Sequence, residues 1–174
     1  MNNSPKILWY CSGSCQLGSL LLAEADEQLQ AILLGDGEQE LLDDLQQRFP
    51  GAELRPATAG QRKHLQRVLD YVDKPRGAFP LHRPLAMHGT DFQCAVWEAL
   101  SHVPAGSTIS YSELAKRIGK PKAVRAVAGA CAANPLAIAV PCHRVLRSDG
   151  GISGYRWGVA RKRKLLELEH QLNA

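Results

Sequence analysis

Apolar positions in the first third of the chain fall into short runs separated by turn residues. Residues 7–11, 19–23 and 29–34 are rich in Ile, Leu, Ala and Cys, and Gly35-Asp36-Gly37 closes the last run. A repeat of about ten residues with turn signals between the runs predicts an antiparallel β-meander. The period then changes. Leu41, Leu42 and Leu45 mark an amphipathic helix over 38–49 that stops at Pro50-Gly51. Leu65, Val68, Leu69 and Val72 form the inner stripe of a second helix over 61–72. Residues 74–86 carry three prolines and read as a linker, which puts a boundary between a domain over 1–85 and another over 86–174.

The second part has helical spacing throughout. Thr90 or Asp91 can cap a helix to about residue 101 that buries Phe92, Val96, Trp97 and Leu100. Ser110 caps a short helix over 111–118 with Tyr111, Leu114, Ala115 and Ile118 inward. Gly119 suits the position after its end, and Pro121 suits the first turn of a further helix to about residue 132. That helix would bury Val124, Val127, Ala128 and Cys131, and the pair forms a helix-turn-helix pattern. Its outward side holds Lys122, Arg125, Ala126, Gly129 and Ala133, basic or small without any acid. Small residues permit close approach and the two cations suit phosphates, although packing against the first domain would also use small residues. A last helix over 159–172 has Leu165, Leu166, Leu168 and Leu172 as its stripe, with Glu169 near the centre. An unpaired polar group there would cost about 2–7 kcal/mol, so an imidazole or a core arginine should meet it.

Between these helices, residues 138–145 read Ile-Ala-Val-Pro-Cys-His-Arg-Val. The β-prone run 138–140 predicts a buried strand that Pro141 ends, leaving Cys142 at its mouth beside His143 and Arg144. An ordinary thiol is only about 3% thiolate at neutral pH, and neighbouring basic groups would raise that population. The competing reading is a small buried filler, the common use of a free cysteine.

The 174 residues are enough for one large or two small domains. The net charge of +4 is unevenly spread: residues 89–174 carry twelve Lys/Arg against six Asp/Glu, whereas residues 1–88 carry nine against eleven. A basic half points to a polyanionic partner, with ordinary solubilising charge as the alternative. The five cysteines are odd in number and lack CxxC pairs, which predicts a reducing, cytoplasmic setting and no disulfide framework. Cys11 and Cys15 lack a second ligand pair at metal spacing, so no metal is expected. No apolar stretch has the length of a membrane span, and no secretory leader is read at the start.

Six segments carry a family resemblance. They are Phe92-Gln93-Cys94-Ala95-Val96-Trp97, Ser110-Tyr111-Ser112-Glu113-Leu114-Ala115, Gly119-Lys120-Pro121-Lys122-Ala123-Val124-Arg125-Ala126-Val127, Ala132-Ala133-Asn134-Pro135, Val140-Pro141-Cys142-His143-Arg144-Val145 and Ser153-Gly154-Tyr155-Arg156-Trp157-Gly158. Together they resemble the O6-alkylguanine-DNA alkyltransferases, or methylated-DNA–protein-cysteine methyltransferases, including the carboxy-terminal part of the bacterial Ada protein. The likeness is dense over 90–169 and only general in the first third.

The resemblance implies a two-part α/β fold: a ribonuclease-H-like β-meander with helices, then a mainly α domain with a winged-helix-like helix-turn-helix. It implies that Cys142 accepts the alkyl group, that His143 acts as its base through a water, that Glu169 orients His143 and that Asn134 holds the loop. Adjacent strand residues point to opposite sides, which would make a water relay between Cys142 and His143 sensible. Arg125 would fill the space left by an extruded guanine and Tyr111 would crowd the rotating phosphate. Lys122, Ala123, Ala126, Gly129 and Ser112 would meet double-stranded DNA. Tyr155 and the Val145–Arg147 backbone, with Arg156 and Trp157, would form the base pocket. Helix-turn-helix geometry alone suggests the major groove, whereas the family docks in the minor groove. Base extrusion is required because a buried thiol cannot reach O6 inside stacked DNA.

The expected activity is single-turnover repair of O6-alkylguanine and O4-alkylthymine by a monomer, with no cofactor and no membrane partner. Trp157 stands where some members carry glycine, so methyl groups should react well and benzyl groups poorly. The start at Met1, without the four-cysteine zinc domain of Ada, suggests a stand-alone repair protein. Ala25 stands where some relatives carry a metal ligand, another reason to expect no zinc. The alternatives are a non-enzymatic sensor of alkylated bases, against which the presence of Cys142 counts, and a cysteine hydrolase, which would leave the basic helix pair without a purpose.

Overall fold

Strand β1 (Ile7–Cys15), β2 (Gly18–Ala25) and β3 (Gln28–Gly35) pair antiparallel in the computed structural model, which describes residues 4–173. This is the meander expected from the turn spacing, with β1 running further than the apolar residues alone suggest. Ser12, Gly13 and Ser14 stay in the ladder opposite Leu21, Leu20 and Ser19. Gly13 lets α2 approach closely, since a Cβ there would sit 2.7 Å from Leu69 Cδ1 and push that side chain aside. A fourth strand, β4 (Glu53–Pro56), adds parallel to β1 and gives the order β3-β2-β1-β4. Helix α1 (Glu38–Arg48) buries Leu41 and Leu45, and α2 (Ala59–Asp73) buries Leu65, Val68, Leu69, Tyr71 and Val72. Most of β2 and β3 is buried at consecutive positions, so apolar residues run on instead of alternating. Among the described residues of this unit one charge is buried: Glu24 meets His64 Nδ1 at 2.9 Å and Arg83 Nε at 2.9 Å.

The chain divides into two compact units, residues 1–73 with 79–88, and residues 74–78 with 89–174. The proline-bearing stretch between the halves is therefore shared out. Leu29 donates its N–H to Pro84 O at 2.9 Å and accepts from Ala86 N–H at 2.8 Å. In the second unit, Asn173 Nδ2 donates to Pro75 O at 2.8 Å.

That second unit begins with α3 (Asp91–Ser101), closed by a reciprocal capping box between Thr90 and Gln93. Its Trp97 ring is buried and donates Nε1–H to Ala130 O at 2.8 Å. Helix α4 (Tyr111–Arg117) is capped by Ser110, which accepts from Glu113 N–H. Gly119 then takes φ +73°, and Lys120 N–H donates to Ala115 O at 2.9 Å, satisfying carbonyls that the helix end would leave open. Helix α5 (Val124–Ala132) starts later than Pro121 suggested, because residues 121–122 are a turn and Ala123 is the capping position. It buries Val127, Ala130 and Cys131, and leaves Lys122, Arg125, Ala126 and Gly129 exposed. Strands β5 (Ile109–Ser110) and β6 (Val145–Leu146) form a short parallel pair, and α6 (Val159–Asn173) ends the unit.

The strand expected over 138–140 is absent. Those residues form a buried turn in which Ile138 takes φ +72°, and Val140 N–H returns to Leu136 O at 2.9 Å. Cys142–Arg144 follow as one 3₁₀ turn. The apolar run signalled burial correctly, but Asn134 captures the backbone of Leu136 and Val140 and bends the chain. The left-handed residue at Gly119 gives a direct check of this unit. Gly119→Ala has open space for its Cβ, so its cost should be backbone strain alone, about 1–2 kcal/mol by urea denaturation. An unchanged midpoint would contradict the left-handed closure of α4.

Candidate active site

Three residues of the 3₁₀ turn, Cys142, His143 and Arg144, are all buried. Helix α6 packs on this turn and sends Lys162, Leu165 and Glu169 inward, three positions in phase at helical spacing. The leucine stripe expected there is only partly right: Leu165 is buried, whereas Leu166, Leu168 and Leu172 are half-exposed. Two charged side chains take the inner face instead.

Glu169 accepts from both partners that the sequence left open. His143 Nε2 lies 2.7 Å from Oε1, and Arg144 donates Nη2–H to Oε1 at 2.8 Å and Nε–H to Oε2 at 3.0 Å. Arg144 Nη1–H also donates to Val103 O at 2.6 Å. Burial alone would raise the Glu169 carboxyl, but the His143 and Arg144 contacts outweigh it and hold it down at about 2. The carboxylate can only accept, so His143 must carry its proton on Nε2. Burial pushes the imidazole below its ordinary range despite Glu169, so His143 is neutral at pH 7. Its Nδ1 then holds a lone pair, and that buried atom has no hydrogen-bond partner among the described residues.

Cys142 is buried, and burial pushes its thiol up to about 11. This corrects the expectation of an enriched resting thiolate: desolvation outweighs the Asn134 hydrogen bond and the positive charge of Lys162. The premise that Cys142 and His143 alternate along a strand also falls, since both belong to the 3₁₀ turn. Asn134 Nδ2 donates to Cys142 Sγ at 3.3 Å and to Val140 O at 2.9 Å, while its Oδ1 accepts from Leu136 N–H at 2.8 Å. One fully buried amide thus ties the turn together and touches the sulfur.

A cavity of about 530 Å³ opens onto Cys142. Ala128, Cys131 and Ala132 of α5 line it, together with Tyr111 and residues 153–156. Tyr155 and Arg156, expected in a base pocket, are present there; Val145 and Trp157 are buried elsewhere. Trp157 acts at one remove, its ring edge-on to Tyr155 with centroids 5.3 Å apart. Tyr111 Oη accepts from Ser153 Oγ at 3.0 Å. Arg125, Lys122, Ala123, Ala126 and Gly129 do not line the cavity, and Ser112 Oγ lies 3.0 Å from Ser148 Oγ.

Sequence reasoning missed three residues of this site. Lys162 is buried, donates Nζ–H to Val145 O at 2.6 Å and lies 5.8 Å from the Tyr111 ring centroid. Its position, three before Leu165 and seven before Glu169, was the available signal. Arg144 was noted as a basic neighbour of Cys142, but its hold on Glu169 was legible only as an unspecified core arginine. Cys131 was read as helix core, yet it shares the cavity with Cys142; burial pushes its thiol up to about 12, with the Cys142 charge adding to the rise. Among the described residues no cluster of three metal-ligating side chains occurs, and no helix is long and apolar enough to cross a membrane.

With this geometry in hand, known proteins fall into place. A family model for the DNA-binding domain of 6-O-methylguanine DNA methyltransferase matches residues 91–171. The inducible methylated-DNA–protein-cysteine methyltransferase of Bacillus subtilis is 41% identical over 136 residues, 78% of this chain and 75% of that protein. The bifunctional transcriptional activator/DNA repair enzyme Ada of Escherichia coli is 51% identical over 160 residues, 92% of this chain and 45% of that protein. Mycobacterium tuberculosis OGT, solved in complex with DNA, superposes with a TM-score of 0.76 at 36% identity, over 94% of this chain and 93% of that one. The chain therefore belongs to the methylated-DNA–protein-cysteine methyltransferase family. It shares the family's mixed α/β architecture, an amino-terminal β-sheet unit followed by a helical part. It spans less than half the length of the Ada proteins it matches.

The buried carboxylate sets the acid limb of stability. Glu169 titrates near 4.5 when unfolded and about 2 when folded, so its contribution is present above pH 4.5 and lost as pH falls toward 2. The depressed His143 works in the same direction, because the unfolded imidazole gains a proton first as pH falls below about 6.5. The carboxylate alone should supply on the order of 3 kcal/mol. Glu169→Gln should be about 3–5 kcal/mol less stable at pH 7, with a flatter fall toward pH 3, by urea denaturation. Matching acid limbs in both proteins would contradict the ionised, doubly bound carboxylate.

Proposed function

We propose that this chain repairs alkylated DNA by direct reversal. Cys142 Sγ attacks the alkyl carbon on O6 of an extruded guanine, or on O4 of thymine. The S–C bond forms as the C–O bond breaks, and the base leaves intact. The thiol proton passes through a water to His143 Nδ1 and from there to the departing base. Glu169 fixes the imidazole's orientation with its proton on Nε2 while burial keeps the ring neutral, Asn134 holds the sulfur, and Lys162 steadies the negative charge that develops. The thioether has no route back, so each molecule acts once and needs no cofactor. The observation that carries this reading is a buried thiol at the cavity wall, beside an imidazole whose free lone pair is fixed by a carboxylate.

The same physics selects the acceptor. Cys131 also lines the cavity, but the side-chain hydrogen bond from Asn134 goes to the other sulfur. Cys142 is the sulfur that Asn134 touches. A non-enzymatic sensor would need the cavity without the acceptor, so its presence favours repair.

For the DNA, α4 and α5 act as a helix-turn-helix that a monomer docks into the minor groove of a duplex. The exposed Lys122, Arg125, Ala126 and Gly129, with half-buried Ala123 beside them, offer cations and no bulk, and Ser112 adds a polar contact from α4. Arg125 takes the place of the extruded base, and Tyr111 crowds the phosphate that turns. Tyr155 and Arg156 receive the base, backed by Val145 and Trp157. The region 86–174 is the DNA-binding and alkyl-acceptor domain, and 1–85 is a ribonuclease-H-like companion.

Two measurements test this. Mixed with duplex DNA carrying O6-methylguanine, the protein should gain one methyl group by intact mass spectrometry, on the peptide containing Cys142, and Cys142→Ala should gain none. A methyl on Cys131, or none on the intact protein, would refute the assignment. Arg125→Ala should slow repair of the duplex about 10- to 100-fold, the scale of a few kcal/mol of extrusion energy, and slow attack on the free base far less. Equal losses on both substrates would remove its role in extrusion.

A further inference from the structure

Arg147 also lines the cavity, and the relay does not use it. It is exposed, as is Arg156 on the same cavity, so two exposed arginines contribute to the cavity lining. A cavity built for a neutral base has no need of two cations in its lining. The loop that carries Arg147 is tightly closed. Arg147 N–H donates to Gly151 O at 3.0 Å, Gly150 N–H returns to Arg147 O at 2.9 Å, and Gly150 takes φ +82°. Asp149 Oδ1 accepts from Gly151 N–H at 2.8 Å, and Ser148 Oγ lies 3.0 Å from Ser112 Oγ of α4.

Within this loop Asp149 Oδ2 accepts from Arg147 Nη2–H at 3.0 Å, with both side chains 61% exposed. An exposed pair of this kind contributes about 0–1 kcal/mol, enough to aim the guanidinium and too little to hold it against a stronger acceptor. Guanidinium donors match phosphate oxygens in pairs, and a phosphate outbids an exposed carboxylate that is already hydrated.

We propose that Arg147 is the phosphate contact of the extruded nucleotide, aimed by Asp149 and joined by Arg156. The proposal rests on the extrusion reading above and adds what holds the sugar-phosphate of the nucleotide once its base is in the cavity. Every base drawn from the stack brings its own phosphates to the cavity opening, so a cation placed there binds only when a base has entered. Arg147 thus discriminates an extruded nucleotide from an undisturbed duplex. Asp149 keeps the site from attracting any passing backbone.

The test uses the full chain carrying Cys142→Ser, so that binding is not followed by alkyl transfer. Affinities for a duplex with one O6-methylguanine and for the same duplex undamaged are measured from 50 to 200 mM salt. Arg147→Gln should lower the slope of log affinity against log salt by about 0.9 on the lesion duplex, the loss of one phosphate contact, and leave the undamaged slope as it was. Asp149→Asn should move the other way, tightening binding to the lesion duplex about two- to fivefold at low salt, the size expected on releasing an exposed ion pair. An unchanged slope on the lesion duplex overturns the proposal. An equal fall on both duplexes also overturns it, because Arg147 would then be a general backbone contact. Failure of the repair reading is seen separately, as a chain with Cys142 intact that gains no methyl from the lesion duplex.

Discussion

A carboxylate with 1% of its surface exposed is an expensive thing to fold, and the second unit is organised around meeting that cost. Glu169 comes from the last helix, while its two partners come from the 3₁₀ turn. Arg144 cancels the charge and Nη1 carries the connection on to Val103 O, after α3. His143 uses the remaining acceptor capacity. Remove any one member and the other two are left with unmet charge or an unmet donor in a buried site. This interlock fixes the imidazole's tautomer, and the tautomer fixes which nitrogen is able to take a proton.

Reactivity follows from that arrangement without a permanently ionised sulfur. The Cys142 thiol is pushed up by burial, so in the resting protein it keeps its proton and resists casual oxidants. Ionisation is called for only when an electrophile occupies the cavity and the proton has somewhere to go. Asn134 and Lys162 bias the site toward the anion without producing it in advance. Under the proposed single-turnover repair, a protected nucleophile is a sensible design.

Much of this was written in the residue pattern, and the exceptions have physical causes. Turn spacing located β1 to β3, and cap residues located α3 and α4, because those signals are local. Strand β4 was missed because a four-residue parallel edge has no periodicity to read. Residues 138–140 were read as a strand because Ile and Val favour extended backbone, yet Asn134 competes for the same backbone groups and wins. Glu169 was found as an anomaly on an apolar stripe, but Lys162 in the same phase was passed over because lysine is usually solvated. Cavity lining was the least legible feature. Cys131 and Ser153 come from separate segments that only the tertiary fold brings to one opening, whereas Trp157 and Val145 belong behind the wall.

The proposed relay to Cys142 depends on the protonation state of a single ring. Nitrogen-15 NMR of the imidazoles, with the His143 resonances assigned by their loss in His143→Gln, reports that state directly. At pH 7 His143 should be neutral, protonated on Nε2 and bare on Nδ1, and should stay so to a lower pH than an exposed histidine. An imidazolium at pH 7, or a neutral ring with its proton on Nδ1, would leave Cys142 without a base and contradict the account.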